Sequence, residues 1–150
     1  SEPIPWLLET FWAKVVIIFA ITWRWTGYNM IFYLSSMQNI DRGVYEAAEI
    51  DGAGAWQKFW YITVPLLKPV ILLTAIMSTT GTLQLFDEVV NMTSGGPANS
   101  TMSISQYIYN LSFKYAPDFG YAATVSYAIF IMVAVLSLIQ MKVSGDRNDN

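Results

Sequence analysis

The stretch Ala122–Met141 contains twenty consecutive residues without a charged side chain. As an α-helix it would be about 30 Å long, which matches the hydrocarbon core of a lipid bilayer. Runs of this length and composition are typical of membrane-spanning helices rather than of helices in soluble domains. The stretch therefore predicts a transmembrane helix, the clearest one in the chain.

A second apolar segment, Phe11–Met37, lies near the start of the chain. A continuous helix over this range would be about 40 Å long, enough to cross a bilayer even when tilted. Its middle, Trp23–Asn29, is more polar, and two short helices broken at Gly27 are the alternative. We favour one span whose polar middle faces protein.

A third segment, Pro65–Phe86, has no charge from Val70 onward, and Pro65 suits the first turn of a helix. Membrane helices use small and hydroxyl-bearing residues at helix–helix interfaces and along aqueous paths. The segment therefore predicts a span that faces protein or water. Its small and polar residues are Thr74, Ser78, Thr79, Thr80, Gly81, Thr82 and Gln84.

The most polar stretch between apolar runs is Tyr45–Pro69. Asp41 is a good N-cap for a short helix, and Gly52 is a good residue to end it. Gly52 and Gly54 allow a sharp bend, after which Trp56–Val64 forms a second helical stretch. The pattern predicts a helix, a hinge and a second helix; an ordinary connecting loop is the alternative.

Glu88–Gly120 joins the last two spans. Within it, Thr93–Ser100 is rich in turn residues, and Ser103–Tyr115 is a candidate amphipathic helix. The ends of the chain, Ser1–Thr10 and Asp146–Asn150, are interpreted as an exposed lead-in and a frayed polar tail. The apolar side of the amphipathic helix would carry Ile104, Tyr107, Ile108 and Leu111.

Composition narrows the possible functions. Hydrophobic residues make up 54% of the 150 residues and charged residues 13%, which is too apolar for a typical soluble domain. A net charge of −3 provides no basic surface for nucleic acid. The absence of cysteine and histidine removes thiolate chemistry and the usual general base and metal ligand. We expect no metal, no cofactor and no nucleic-acid partner.

The placement of lysine and arginine predicts the orientation, because cytoplasmic loops are enriched in both. Five such residues fall on the side of the polar stretch and the C-terminus, and two on the other side. We therefore expect both the polar stretch and the C-terminus in the cytoplasm. The five are Arg42, Lys58, Lys68, Lys142 and Arg147; the two are Lys14 and Lys114.

Arg24 falls inside the first span, where a charge costs about 2.5–3.5 kcal/mol even on the lenient insertion scale. It should face protein or water and have a partner. Asp87 and Glu88 are the nearest candidates in depth, and a partner on another part of a larger assembly is the alternative.

The residues Glu46-Ala47-Ala48, then Gly52, then Ile62-Thr63-Val64-Pro65 resemble the EAA loop of ABC importer permeases. The match holds in spacing and identity except at Val64, where leucine is usual. Asp51-Gly52-Ala53 fits the sugar-uptake branch of that family. The similarity extends over about Phe11–Met141 and covers three of the family's roughly six core spans, so it implies the second, C-terminal half of a permease, with a coupling loop at about residues 41–64.

The resemblance implies how the loop would act. In the family it forms coupling helices that sit in a cleft of a cytoplasmic ATP-binding subunit. Glu46 and Glu49 would offer carboxylates to that subunit, and large aromatics would anchor the contact. A solvated helix face and aromatic anchoring at the membrane interface are the alternatives. The candidate coupling residues are Glu46, Ala47, Ala48, Glu49, Asp51, Gly52, Trp56 and Phe59.

A sugar path is expected along the third apolar segment. Thr74, Ser78 and Thr82 share one helix face, and hydroxyls beside an apolar edge suit a sugar. Ser78 matches a sugar-contacting serine of maltose-type permeases, whereas Thr82 stands where the family has an amide. Helix packing through small residues is the alternative. The candidates are Trp25, Gly27, Tyr28, Asn29, Thr74, Ser78 and Thr82.

Together these features predict an all-α integral membrane bundle with about three transmembrane helices and a cytoplasmic helix–hinge–helix loop. The resemblance implies a multi-pass permease subunit of a sugar importer in a bacterial cell membrane, not an enzyme. It also implies ATP-binding subunits, a second permease subunit and an extracellular sugar-binding protein as partners. A membrane channel or scaffold without ATP coupling is the alternative, and a membrane-embedded enzyme is disfavoured.

Overall fold

The computed structural model describes residues 5–145, and this part of the chain is helical with no β-strand. Two long helices, α1 and α7, frame five shorter ones. The helices are α1 (Thr10–Gln38), α2 (Arg42–Ile50), α3 (Ala55–Leu66), α4 (Lys68–Leu83), α5 (Asp87–Met92), α6 (Ile104–Tyr109) and α7 (Phe119–Gly145). The all-α prediction is confirmed. The lead-in residues 1–4 and the predicted tail Asp146–Asn150 lie outside the described residues.

Two of the described helices are long and apolar enough to cross a membrane: Thr10–Gln38, with mean hydropathy 1.3, and Phe119–Val143, with mean hydropathy 2.3. A third span results if α3 and α4 count as one bent span. Helix α1 runs unbroken through Gly27, whose missing side chain faces open space. The alternative of two short helices is therefore wrong.

A bend of 65° separates α3 from α4 at Leu67. Pro69 has no amide hydrogen to donate to the carbonyl of Pro65, and its ring crowds that carbonyl. The predicted span Pro65–Phe86 is therefore shorter, since Pro65 lies in the last turn of α3 and Pro69 occupies the first turn of α4. At the other end α4 stops at Leu83.

Helix α4 lies between α1 and α7 and contacts both. Past the end of α4, Leu85 turns inward and packs with Ile17 of α1 and Val89 of α5. On the α7 side, the Gln140 side-chain amide donates to the Thr79 hydroxyl at 2.8 Å. These contacts fix α4 as the central helix, in contact with the long helix on either side.

The connection to α7 contains the predicted turn-rich loop and a helix after it, but not the predicted burial of an apolar side. The buried residues of this helix and its extension are polar, Gln106, Asn110 and Ser112, whereas Ile104 is exposed. Gly95 has φ +89°, a conformation that glycine adopts without steric cost. The hydroxyls of Thr93 and Thr101 lie 2.8 Å apart and close the loop. Ser103 caps α6, and a π-helical turn, Asn110–Lys114, continues that helix.

Candidate functional site

The helix–hinge–helix segment, residues 41–64, begins with a side-chain cap. The Gly43 amide donates to Asp41 Oδ1 at 3.0 Å, so the predicted N-cap is confirmed. This bond satisfies one of the amides that have no partner inside the helix at its N-terminus. Helix α2 then runs unbroken from Arg42 to Ile50, although its second residue, Gly43, is a weak helix former.

The hinge is built around Gly52, which has φ +81°. The Gly52 amide donates to Glu49 O at 3.0 Å, and the Ala53 amide donates to Ala48 O at 2.9 Å. These two bonds form the Schellman pattern, in which a left-handed residue ends the helix. The expected helix stop at Gly52 is confirmed. The chain then re-enters a helix at Gly54, whose amide donates to Gln57 Oε1 at 2.8 Å.

Two side-chain contacts hold α2 against α3. Lys58 forms an ion pair and a hydrogen bond with Glu49. The Tyr45 and Thr63 hydroxyls lie 2.8 Å apart. The hydrogen bond from Lys58, followed by its charge, lowers the pKa of the Glu49 carboxyl below its ordinary value. The two helices therefore have a defined angle even though α2 buries none of its residues.

The outer side of this segment carries large exposed aromatics. Trp56, Phe59 and Trp60 follow the i, i+3, i+4 spacing of one helix face, and we call them the aromatic stripe. Neighbouring rings of the stripe are in edge contact, with centroids 6.4 and 5.2 Å apart. Trp56 is 76% exposed and Trp60 58%. Among the other predicted coupling residues, Glu46, Ala47 and Asp51 are exposed and Ala48 is half-buried.

A second polar constellation lies along the contact between α1 and α4. The Asn29 side-chain amide donates to the Ser78 hydroxyl at 3.0 Å. One turn further along α1, the Tyr33 and Thr74 hydroxyls lie 2.8 Å apart. From the first pair to the second, the residue number rises in α1 and falls in α4, so the two helices are antiparallel. We call these two pairs the polar seam.

Beside the seam lies a groove of about 430 Å³ between α1 and α4. Four of the seven predicted path residues line it: Trp25, Asn29, Ser78 and Thr82. The remaining lining residues are Ile18, Ile21, Thr22 and Thr26, so hydroxyls alternate with apolar surface. We call this space the α1–α4 groove.

The other three predicted path residues lie elsewhere. Gly27 and Tyr28 are on the exposed side of α1 and do not line the groove. Thr74 is 1% exposed, and its hydroxyl is bonded to that of Tyr33 and to the carbonyl of Val70 in its own helix. Helical spacing puts Thr74 on the face of Ser78, but Thr74 is buried there with the Tyr33 hydroxyl against it.

Arg24 pairs with Glu88, the second residue of α5, rather than with Asp87. The Arg24 side chain is 48% exposed and that of Glu88 13%. The guanidinium also lies 5.4 Å from the centre of the Trp25 ring. The ion pair therefore ties α1 to α5 next to the groove.

Two residues next to the groove, Tyr33 and Gly81, are not among the path residues predicted from the sequence. Tyr33 lies four residues after Asn29 and so shares its helix face, a signal that could have found it. Gly81 lies directly against the Trp25 ring. An isolated glycine inside an apolar helix indicates close packing, but nothing in the sequence names the residue packed there.

Residues 4–144 match the family described as binding-protein-dependent transport system inner membrane component. The match covers almost the whole chain, and the chain belongs to this family. The predicted membership in a family of importer permeases is thereby confirmed.

The relatives include permeases for several sugars. The chain is 65% identical over 149 residues to the lactose transport system permease protein LacF of Rhizobium radiobacter, covering 98% of this chain and 50% of that protein. It is 35% identical over 148 residues to the trehalose/maltose transport system permease protein MalF of Thermococcus litoralis, covering 99% and 50%. By their descriptions both are transport proteins, not enzymes.

The fold is also similar to one chain of a bacterial alginate ABC transporter, crystallised in complex with an alginate pentasaccharide-bound periplasmic protein. The TM-score is 0.70 at 24% identity, and the match covers 99% of this chain and 50% of that chain. This chain therefore spans about half the length of the curated relatives and of the solved structure that it matches.

Proposed function

We propose that this chain is the half of a sugar-importer permease subunit that carries the coupling loop. In this proposal the α1–α4 groove is part of the sugar path. The helix–hinge–helix segment takes up the motion of an ATP-binding subunit. Support comes from the family and from relatives named for lactose and trehalose/maltose transport.

The observation that carries the sugar path is the lining of the α1–α4 groove. Asn29 and Ser78 bring an amide and a hydroxyl together, and Thr82 adds a second hydroxyl next to the apolar ring of Trp25. A sugar presents hydroxyl groups and C–H faces, so it can exchange hydrogen bonds with the former and pack on the latter. The protein groups already pair with each other, so a passing sugar would replace their bonds rather than leave them unsatisfied.

The uncovered surface of the helix–hinge–helix segment supports the coupling role. The aromatic stripe and the exposed Glu46 offer anchors and a carboxylate to a partner cleft. Such a rigid element docked in a moving cleft can bias two membrane conformations. The lysine and arginine distribution supports a cytoplasmic position for this segment and for the C-terminus, in a multi-pass protein of the bacterial inner membrane.

The proposed partners follow from the same role. They are cytoplasmic ATP-binding subunits, a second permease subunit, an extracellular sugar-binding protein and the lipid bilayer. The periplasmic protein bound to the alginate transporter supports the binding-protein partner. If the assembled protein conducts sugar without co-purifying with an ATPase, it is instead a channel without ATP coupling.

Cysteine labelling tests the sugar path, because the chain has no cysteine of its own. In the assembled transporter, Ser78→Cys and Thr82→Cys should react with a small hydrophilic thiol reagent, and transported sugar should slow both reactions. Thr74→Cys is the matched control on the same helix face and should stay unreactive, since Thr74 is buried with the Tyr33 hydroxyl against it. Equal reaction with and without sugar at both groove positions would contradict the path.

A further inference from the structure

Gly81 of α4 and Trp25 of α1 are in closer contact than any other residue type at position 81 would allow. A Cβ atom built on Gly81 would lie 2.2 Å from Cζ2 and 2.8 Å from Cη2 of the Trp25 indole. Non-bonded carbon atoms are most stable about 3.5–4.0 Å apart. The six-membered ring of Trp25 therefore occupies the space in which a side chain at position 81 would begin.

The other sides of the Trp25 ring are also held. The Tyr28 ring meets it edge-on, with centroids 5.6 Å apart, and the Arg24 guanidinium lies over it. Arg24 is itself fixed by the ion pair with Glu88. The indole Nε1 atom is buried without a hydrogen-bond partner, which agrees with a ring placed by packing rather than by polar contacts.

The open space next to Trp25 is the α1–α4 groove, which this residue lines together with Asn29 and Ser78. A ring pushed away from α4 would therefore move toward the groove. We propose that Gly81 is a positioning residue that keeps the groove wide, because it lets the edge of the Trp25 ring lie directly against α4. The pair at positions 81 and 25 then sets the largest molecule that reaches Ser78. The identification of that molecule as a sugar rests on the proposed function; the groove width does not.

The test measures groove width with thiol reagents of two sizes in the assembled transporter. Ser78→Cys and, separately, Thr26→Cys report from the lining of the groove. Adding Gly81→Ala should slow the large reagent by about tenfold relative to the small one, because overpacked contacts relax only partly. Adding Trp25→Phe to that variant should restore the rate, since phenylalanine lacks Cζ2 and Cη2.

Gly27→Ala is the matched glycine control for this labelling. A Cβ there has no heavy atom within 4 Å, and Gly27 does not line the groove. Its size selectivity should equal that of the parent. If Gly81→Ala changes both reagents equally at both reporter positions, the proposal is wrong.

Two further measurements cover failure to assemble. If Gly81→Ala prevents assembly, Trp25→Phe should rescue it, and Trp25→Phe alone should speed the large reagent at Ser78→Cys. Assembly that stays lost, together with an unchanged large-reagent rate in Trp25→Phe, would overturn the proposal. Reporters that react with neither reagent when Gly81 is intact would show a closed groove and overturn both the inference and the sugar path.

Sugar uptake distinguishes the claim about groove width from the claim that sugar passes along the groove. Gly81→Ala should reduce the uptake of a transported disaccharide more than that of a smaller sugar. If Gly81→Ala slows the large reagent more than the small one while sugar uptake is unchanged, the groove geometry is supported and the sugar path is contradicted.

Discussion

The polar seam and the aromatic stripe differ in whether their side chains are covered by the rest of this chain. In the seam, Asn29 meets Ser78 and Tyr33 meets Thr74, so polar groups within an apolar bundle have partners in the same chain. In the stripe, Trp56 and Trp60 are large and mostly exposed. The polar groups of the seam are therefore paired within this chain, whereas the aromatic stripe is left uncovered by it.

The free energy of burying apolar side chains gives the stabilisation that covering the aromatic stripe would contribute. Burying one large apolar side chain contributes roughly 1.5–3 kcal/mol, so covering the stripe would supply several kilocalories per mole. The same residues could instead rest in the headgroup layer, where tryptophan and tyrosine are enriched. The experiments below therefore compare the two regions directly.

The largest effect is expected at the hinge. Gly52→Pro fixes φ near −65° where the structure has +81°, and it removes the amide that donates to Glu49 O. We expect sugar-stimulated ATP hydrolysis and uptake to fall to background in the assembled transporter. Gly54→Ala is the control, because Gly54 has φ −71° and room for a methyl group. Normal uptake by Gly52→Pro would show that the hinge angle is not needed.

The next effect concerns Arg24 and Glu88. Glu88→Gln leaves the guanidinium without its carboxylate; we expect a loss of roughly 1–3 kcal/mol, less than for a fully buried pair because Arg24 is half-exposed. Thermal unfolding of the purified protein measures this. The neighbouring Asp87→Asn is the control and should have little effect. The double variant Arg24→Glu, Glu88→Arg should recover part of the loss; equal losses in Glu88→Gln and Asp87→Asn would argue against the pair.

The sequence predicts most of the secondary structure, because the signals are local. The unbroken apolar run of α7 and the Asp41 cap each depend on a few neighbouring residues. The break at Leu67 is not among the predicted features, although Pro69 carries a local signal for it. Pro65 also suits the first turn of a helix, so the predicted span begins three residues before α4 does.

The rest of the candidate site depends on how helices rotate against each other. Periodicity puts Thr74 and Ser78 on one face but does not tell which of them will be buried. Depth along the helices brings both Asp87 and Glu88 near Arg24, and only the direction of α5 selects Glu88. The contact of Trp25 with Gly81 likewise needs the packed structure.

A smaller effect is expected within the seam. Tyr33→Phe removes one hydroxyl, but Thr74 keeps its bond to Val70 O, so the cost should be about 0.5–1 kcal/mol. Tyr28→Phe, at an exposed ring on the same helix, is the matched control and should be neutral. Thermal unfolding distinguishes the two. Identical melting curves for both variants would mean that the Tyr33 bond adds nothing.

The smallest effect is the pH dependence of the Glu49 ion pair. The Lys58 hydrogen bond and charge lower the pKa of the Glu49 carboxyl. A lowered pKa in the folded state means that the pair stabilises the hinge at neutral pH and that this stabilisation is lost as pH falls through the lowered pKa. Lys58→Met should return the carboxyl pKa toward its ordinary range in a ¹³C NMR titration. An unchanged titration curve would exclude the pair in solution.

The most direct test of the comparison is oxidative footprinting of two tryptophans. Trp56 in the stripe and Trp23 on α1 are 76% and 75% exposed in the isolated chain. Trp23 lies in the middle of the span α1, so it reports on the membrane region while Trp56 reports on the stripe. Hydroxyl-radical oxidation is measured by mass spectrometry in lipid nanodiscs, with and without the ATP-binding subunit. We predict that Trp56 oxidises readily in the permease alone and becomes protected when the subunit binds, while Trp23 is unchanged. Protection of Trp56 by lipid alone, or equal oxidation before and after the subunit binds, would contradict a docking role for the helix–hinge–helix segment.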